Sequence, residues 1–567
     1  MVRYQLSWRN PNEHLYDVAV TFVAPADDPL LHLPAWRPGR YTIQNFAANV
    51  REWSPNMHKV AKSAWRVDAR AGEQVTVRYR YFAGVLDAGS SFLDETEAYF
   101  NGSNLFMWVD GLRTEPAVLM VQAPEHWRIE TQLPTIRPHT FEARDYDHLI
   151  DSPTIAAATI THHTFEEAGA TVHVVFLGAD GIETGIFVEP LRAIVRTQAE
   201  LFGGLPLGEY RFLFHVGDKW HGVEHEDSCS ICVRRGSLVG AKMGDEGVDH
   251  LLSISSHELF HVWNVKRIVP GRFVPYDYSA ETPTRLLWAM EGITSYYGDL
   301  TLLRAGMWDT GKYLEHLQHE IELLESSPGR HHLSLAQASF DGWLQDQIHD
   351  KSNAWVSFYN KGEIVAALLD LEIRRRSTKS LDDVMRYLWR EYGEERRGLE
   401  EDAIERAVAR VTGEDFADFF ARYVDGTEPL PYAELFDSAG VDYESQPRDL
   451  GFGGRVRSSD GALLLETVTR GGTAMEAGLL PGDELIAIDG TRTRSEADVQ
   501  RLFRSIVPGV QSVEILFARA GVVHRRQVVA RPDGSVTVTL TLREGQEYAP
   551  SGDEAHSAQL TAHRQFG

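Results

Sequence analysis

The pentapeptide His257-Glu258-Leu259-Phe260-His261 decides how this chain is built. Residues four apart share one face of a helix, so the two imidazoles can address a single point. Glu258 follows the first histidine and is turned aside from it, within reach of a water held on a metal at that point. Ligand, general base and ligand at this spacing are the pattern of zinc hydrolases. The flanks are apolar: Leu251, Leu252 and Ile254 before, Leu259, Phe260, Val262 and Trp263 after. They predict a buried helix, which would hold the ligands in fixed rotamers. His319-Glu320 begins the same pattern, but Leu323 stands where a second histidine is needed.

A catalytic zinc takes three protein ligands and keeps one position open. One known extension of the motif needs a glycine at 264 and a histidine at 267, and this chain has Asn264 and Arg267. The other takes a glutamate from a later helix. Trp288-Ala289-Met290-Glu291-Gly292-Ile293-Thr294-Ser295-Tyr296-Tyr297 supplies one. An acid in so apolar a stretch is costly unless it is paired or metal-bound. His257, His261 and Glu291 are therefore the expected ligands of one Zn2+ ion per chain, although such a set also accepts other divalent ions.

Outward from this core, 567 residues exceed one hydrophobic core and predict several domains. Residues 1–167 alternate apolar and polar in short runs, as in Tyr16 to Phe22 and Val75 to Tyr81, and predict an all-β, sandwich-like domain. The loops Pro34 to Tyr41 and Tyr99 to Gly102 either border a cleft or merely pack onto the sheet. Residues 168–444 give strands first (Thr171 to Phe176, Tyr210 to Val216). Helical periods follow over Tyr313 to Glu325, Lys361 to Arg376 and Leu381 to Tyr392. That order predicts an α+β catalytic domain. Composition shifts again near 445. Residues 445–535 give short strands and a helix from Ser495 to Val507, and 536–567 predict a partly disordered tail.

The net charge of −26 argues against nucleic acid as a partner. The only two cysteines, Cys229 and Cys232, lie in a strand-like run and predict reduced, buried thiols rather than a redox centre. The N-terminus has no apolar leader segment, and no run of 18 apolar residues occurs, so a cytoplasmic protein without a membrane span is expected. Oligomeric state is not legible.

HELFHVWNVKRIVP followed by WAMEGITSYY resembles the gluzincin aminopeptidases, and most closely the glycyl-aminopeptidase family, metallopeptidase family sixty-one. The resemblance extends to the WRPGRY loop and to the domain order. It implies a thermolysin-like gluzincin domain and removal of small N-terminal residues, Gly or Ala, from peptides with a free N-terminus. Gly222-Val223-Glu224-His225 is similar to the exopeptidase motif of such enzymes, whose Glu binds the substrate's α-amino group. Here Trp220-His221 replace the usual preceding glycine. Tyr359-Asn360-Lys361-Gly362 resembles the Tyr-x-Lys-Gly element, whose Tyr donates to the developing oxyanion. Gly472 to Gly490 looks like a bacterial PDZ domain. Leu450, Gly451 and Phe452 resemble its carboxylate loop, which implies a peptide C-terminus as a second partner. An endopeptidase with the same zinc chemistry, and a PDZ-centred binding protein with an inactive peptidase domain, are the alternatives.

Overall fold

The computed structural model describes residues 1–448, 451–504 and 512–551. They group into two compact units. The first joins 1–283 with 297–307 and 385–400; the second joins 284–296 and 308–384 with the residues from 401 on. All five boundaries between them fall within the segment 168–444.

The first unit begins with the expected β domain. Leu15–Val23 turns Tyr16, Val18, Val20 and Phe22 inward and pairs antiparallel with Val2–Ser7 and Gln74–Phe82. These strands lie in a seven-stranded sheet, beside two four-stranded ones. The shared core is aromatic, and its hydroxyls are satisfied: Tyr4 donates to Met107 O and Tyr79 to Leu105 O. A five-stranded sheet follows. Ala170–Leu177, Glu209–Gly217 and Ser228–Arg234 run parallel, and His221–Glu224 is the antiparallel edge strand. The parallel strands are buried over most of their central residues, where small and apolar side chains predominate, as burial on both faces favours. The helix Val188–Phe202 bridges two of them and presses Leu191, Ile194 and Val195 inward. Cys229 and Cys232 are buried free thiols on the third; burial pushes Cys232 up to about 11, so it stays protonated at neutral pH.

In the second unit, the helix Thr310–Glu325 is capped by Asp309, whose side chain accepts the Lys312 N–H at 2.8 Å. The helix Asn360–Arg376 is buried along most of its length. Its Asp370 accepts from Tyr296 Oη, Arg374 Nε and Leu381 N. The C-terminal part folds around Leu465, Ile488, Val513 and Phe517, with the helix Glu496–Arg504 against it.

Val536–Leu542, assigned on composition to the tail, is a strand paired antiparallel with Val441–Pro447. Its other edge is held by the helix Thr310–Glu325: Val538 N donates to Glu322 Oε1 and Leu540 N to Gln318 Oε1. The alternation Val-Thr-Val-Thr-Leu-Thr-Leu was readable, but its partner lies a whole domain earlier. The rest of the expected tail, from 552, and Leu450 lie outside the described residues. Among the described residues no helix is long and apolar enough to cross a membrane.

Candidate active site

The helix Glu246–Phe260 carries the motif in its last turn, and His261 is its C-cap. Apolar residues continue to Trp263, yet the helix stops. Ile268 N turns back to Trp263 O, Val265 adopts φ 114°, and the Arg267 guanidinium takes Val262 O. The positions that could have carried the rival motif thus serve to end the helix. Asn264 has a further part: its carbonyl lies 2.8 Å from His261 Nδ1. A carbonyl only accepts, so Nδ1 bears the proton and Nε2 keeps its lone pair.

That lone pair faces His257 Nε2 at 3.1 Å. Nitrogen ligands about 2.05 Å from a tetrahedral zinc stand about 3.3 Å apart, so the pair fits a shared metal ion. The helix is pinned on the opposite side. Ser256 Oγ donates to Gly298 O, Gln198 Nε2 donates to Ser256 O, and Phe260 stacks on Tyr297 at 4.7 Å. A Cβ on Gly298 would sit 3.3 Å from the His257 backbone, so glycine allows the close approach.

The edge strand lies against this helix. A Cβ on Gly222 would fall 2.0 Å from Glu258 Oε1, so only glycine lets strand and carboxylate meet. Glu258 and Glu224 are both buried, 5% and 4% exposed. Ligand atoms of Glu224, Glu258 and His261 lie within 4.8 Å of one another. Glu224 Oε1 has no hydrogen-bond partner among the described residues. Its other oxygen abuts Gly39 of the WRPGRY loop, where a Cβ would fall 2.3 Å from Oε2 and φ is +79°. Both facts demand glycine, and the loop therefore does border the site. Composition could not have shown this, because the contact spans 185 positions of sequence.

Asp151 is a residue that sequence reasoning missed. Its oxygens accept from His225 Nδ1 (3.0 Å), Glu226 N (2.9 Å) and Lys266 Nζ (3.0 Å). Burial alone would raise the Asp151 carboxyl; Lys266 and His225 more than offset that and hold it below its usual range. Asp151 thus anchors the two residues that follow Glu224. His225 is lowered by burial, with Asp151 opposing.

In the second unit, Glu291 is 2% exposed in the π-helical turn Trp288–Gly292, which runs on into the helix Ile293–Arg304. Such turns recur at functional sites. The Gly292 and Gly362 backbones interlock: a Cβ on Gly292 would fall 2.4 Å from Gly362 Cα. This sets the Glu291 turn beside the helix start that carries Tyr359. In the C-terminal domain, Phe452 packs edge-on against Phe503 at 5.6 Å. A Cβ on Gly451 would fall 2.0 Å from Asp533 Oδ2, so an internal carboxylate already stands by the expected carboxylate loop.

Comparison with known proteins agrees with this architecture. Residues 3–158 match the Peptidase M61 N-terminal domain, 250–365 the M61 glycyl aminopeptidase family and 465–519 a PDZ domain. No curated protein sequence matches the chain. The crystal structure of an aminopeptidase N family protein from Idiomarina loihiensis superposes with a TM-score of 0.92 at 28% identity, over 98% of this chain and 100% of that one. An M1 zinc metallopeptidase from Deinococcus radiodurans gives a TM-score of 0.49 at 15% identity, over 76% of this chain and 94% of that one.

Proposed function

We propose that this chain, whose residues 3–158 and 250–365 match the M61 peptidase models and 465–519 a PDZ domain, is a zinc aminopeptidase that removes single small N-terminal residues, Gly or Ala, from peptides. One zinc ion would be held by His257, His261 and Glu291, a group whose donor types suit it. The observation that carries this reading is the convergence of the two Nε2 atoms beside the Glu224 and Glu258 carboxylates. When bound, zinc supplies Lewis-acid polarisation of the scissile carbonyl and lowers the pKa of water.

The residues divide the remaining work. Glu258 takes the proton from the attacking water and passes it to the leaving amine. The Tyr359 hydroxyl donates to the oxygen on which negative charge develops. Glu224 receives the substrate ammonium through Oε1, which has no hydrogen-bond partner among the described residues to displace. Gly222 keeps the strand low enough for an extended peptide to lie along it, and His225, held by Asp151, fixes the strand end. Leu450, Gly451 and Phe452 would take a peptide C-terminus at the PDZ domain.

Aminoacyl fluorogenic substrates tested with and without chelator check this reading. Gly and Ala substrates should turn over, lose activity on zinc removal and regain it on zinc addition. Internal cleavage of an N-acetylated peptide at a comparable rate would make the protein an endopeptidase instead.

A further inference from the structure

Against His225, the residue that follows Glu224, lies a cavity of about 240 Å3, lined by Arg37, Asn101, Asp151, His225, Lys266 and Tyr276 among others. Arg37 is the unusual member. It is 1% exposed, donates one hydrogen bond (NH1 to Pro38 O, 3.0 Å), and makes no ion pair among the described residues. Its Nε is buried without a partner. Burial pulls its guanidinium below the usual range, opposed in part by Glu224, Tyr99 and Asp87, none of which forms an ion pair with it. A buried cation without a close ion-pair partner is expensive, yet the fold makes room for this one. A Cβ on Gly89 would fall 1.9 Å from Arg37 NH2, so that glycine is the space in which the guanidinium lies.

The other walls point the same way. The cavity's acids already hold cations of their own: Asp151 holds Lys266, Asp147 holds Arg113 and Glu226 holds Arg144. Arg37 is left over. Asn101 Nδ2 is likewise buried without a partner among the described residues, whereas His225, whose Nδ1 proton goes to Asp151, offers Nε2 only as an acceptor. The ungratified groups of this cavity are thus chiefly donors, and they call for an anion.

We propose that the cavity receives the side-chain carboxylate of an acidic N-terminal residue, with Arg37 as its counter-ion. The proposal rests on Glu224 as the acceptor of the substrate ammonium. Arg37 lies two residues from Gly39, which touches Glu224, so ammonium and carboxylate of one residue can be met together. The bond broken remains the first peptide bond, and water remains the nucleophile. Arg37 sets which residue is accepted in addition to Gly and Ala, and Asn101 assists it.

The test uses the zinc-loaded full chain with Gly, Ala, Asp and Glu fluorogenic substrates. Wild type should cleave the Asp or the Glu substrate. In Arg37→Gln the ratio of acidic to Gly kcat/KM should fall at least tenfold, the scale of a charge-assisted hydrogen bond. Asn101→Ala should shift the ratio the same way but less, and it serves if the arginine variant does not fold. Cleavage of Gly without any cleavage of the acidic substrates overturns the pocket and leaves the aminopeptidase reading standing. An unchanged ratio in both variants also overturns it. If no substrate is cleaved, free L-aspartate and glycine are compared as ligands by thermal shift. Stabilisation by aspartate alone, lost in Arg37→Gln, supports the pocket; equal or absent effects overturn it.

Discussion

Glu224 in the peptidase region and Asp483 in the PDZ region are buried to nearly the same degree, 4% and 2% exposed. Asp483 Oδ1 accepts from Arg519 Nε (2.9 Å), while Oδ2 accepts from Arg519 NH2 (2.7 Å) and Leu480 N (2.8 Å). Glu224 keeps an oxygen with no hydrogen-bond partner among the described residues, in a carboxylate that lies against a glycine and a second carboxylate. A buried carboxylate that is fully engaged closes a turn. One left partly free is maintained at a cost in stability, and that cost marks where a ligand is to be met. Burial alone distinguishes nothing here; the partner count does.

The sharpest way to test this contrast is at Glu258. Glu258→Gln should lower kcat about 10³-fold or more while zinc content by metal analysis stays the same, since general acid–base catalysis contributes about 10²–10⁴. Loss of the metal instead would make Glu258 a support of the ligands.

Glu224→Gln comes next. Its kcat/KM on free-amine substrates should fall about 100-fold, and residual cleavage of N-blocked peptides should barely change. Equal losses on both would sink the assignment of Glu224 to the amino group.

At the other pole, Asp483→Asn should lower the melting temperature of the C-terminal domain and leave turnover of short substrates alone. Burial raises the Asp483 carboxyl, but Arg519 and the Leu480 N–H outweigh it and hold it below its usual range. Its contribution is therefore present above about pH 4 and lost as pH falls through the native value. Acid titration of wild type and variant should converge at low pH. A large loss of turnover would break the contrast.

The smallest effect is expected at Lys361, a buried lysine that burial pulls down to about 8. The native state then resists protonation that the unfolded chain accepts up to about pH 10.4. Lys361→Met should stabilise the protein at pH 7, and its advantage should shrink as pH rises from about 8 toward 10. A pH-independent difference would assign the lysine to packing alone.

Much of the site was legible because its logic is local. The HELFH spacing places two imidazoles on one face, and Gly222-Val223-Glu224 reads as a strand end. Glu291 was singled out by what it violates, an acid in an apolar helix. Gly39, Gly89, Arg37 and Asp151 were not found, because their meaning lies in contacts across more than fifty positions, and a glycine in a loop looks alike whether it opens a turn or clears space for a carboxylate. The strand Val536–Leu542 was missed for a related reason. Its alternation was visible, but a strand is only as credible as its partner, and Val441–Pro447 precedes the PDZ domain that separates them.

The contact of Gly39 with Glu224 also bears on how such enzymes can be rebuilt and how they diverge. A fragment starting at residue 168 would retain HELFH and Glu291 yet lose the wall behind the Glu224 carboxylate. The N-terminal domain is thus no detachable accessory. Grafted from one relative onto another, it would carry with it a piece of the proposed recognition site, so drift in a surface loop of one domain can retune the chemistry credited to its neighbour.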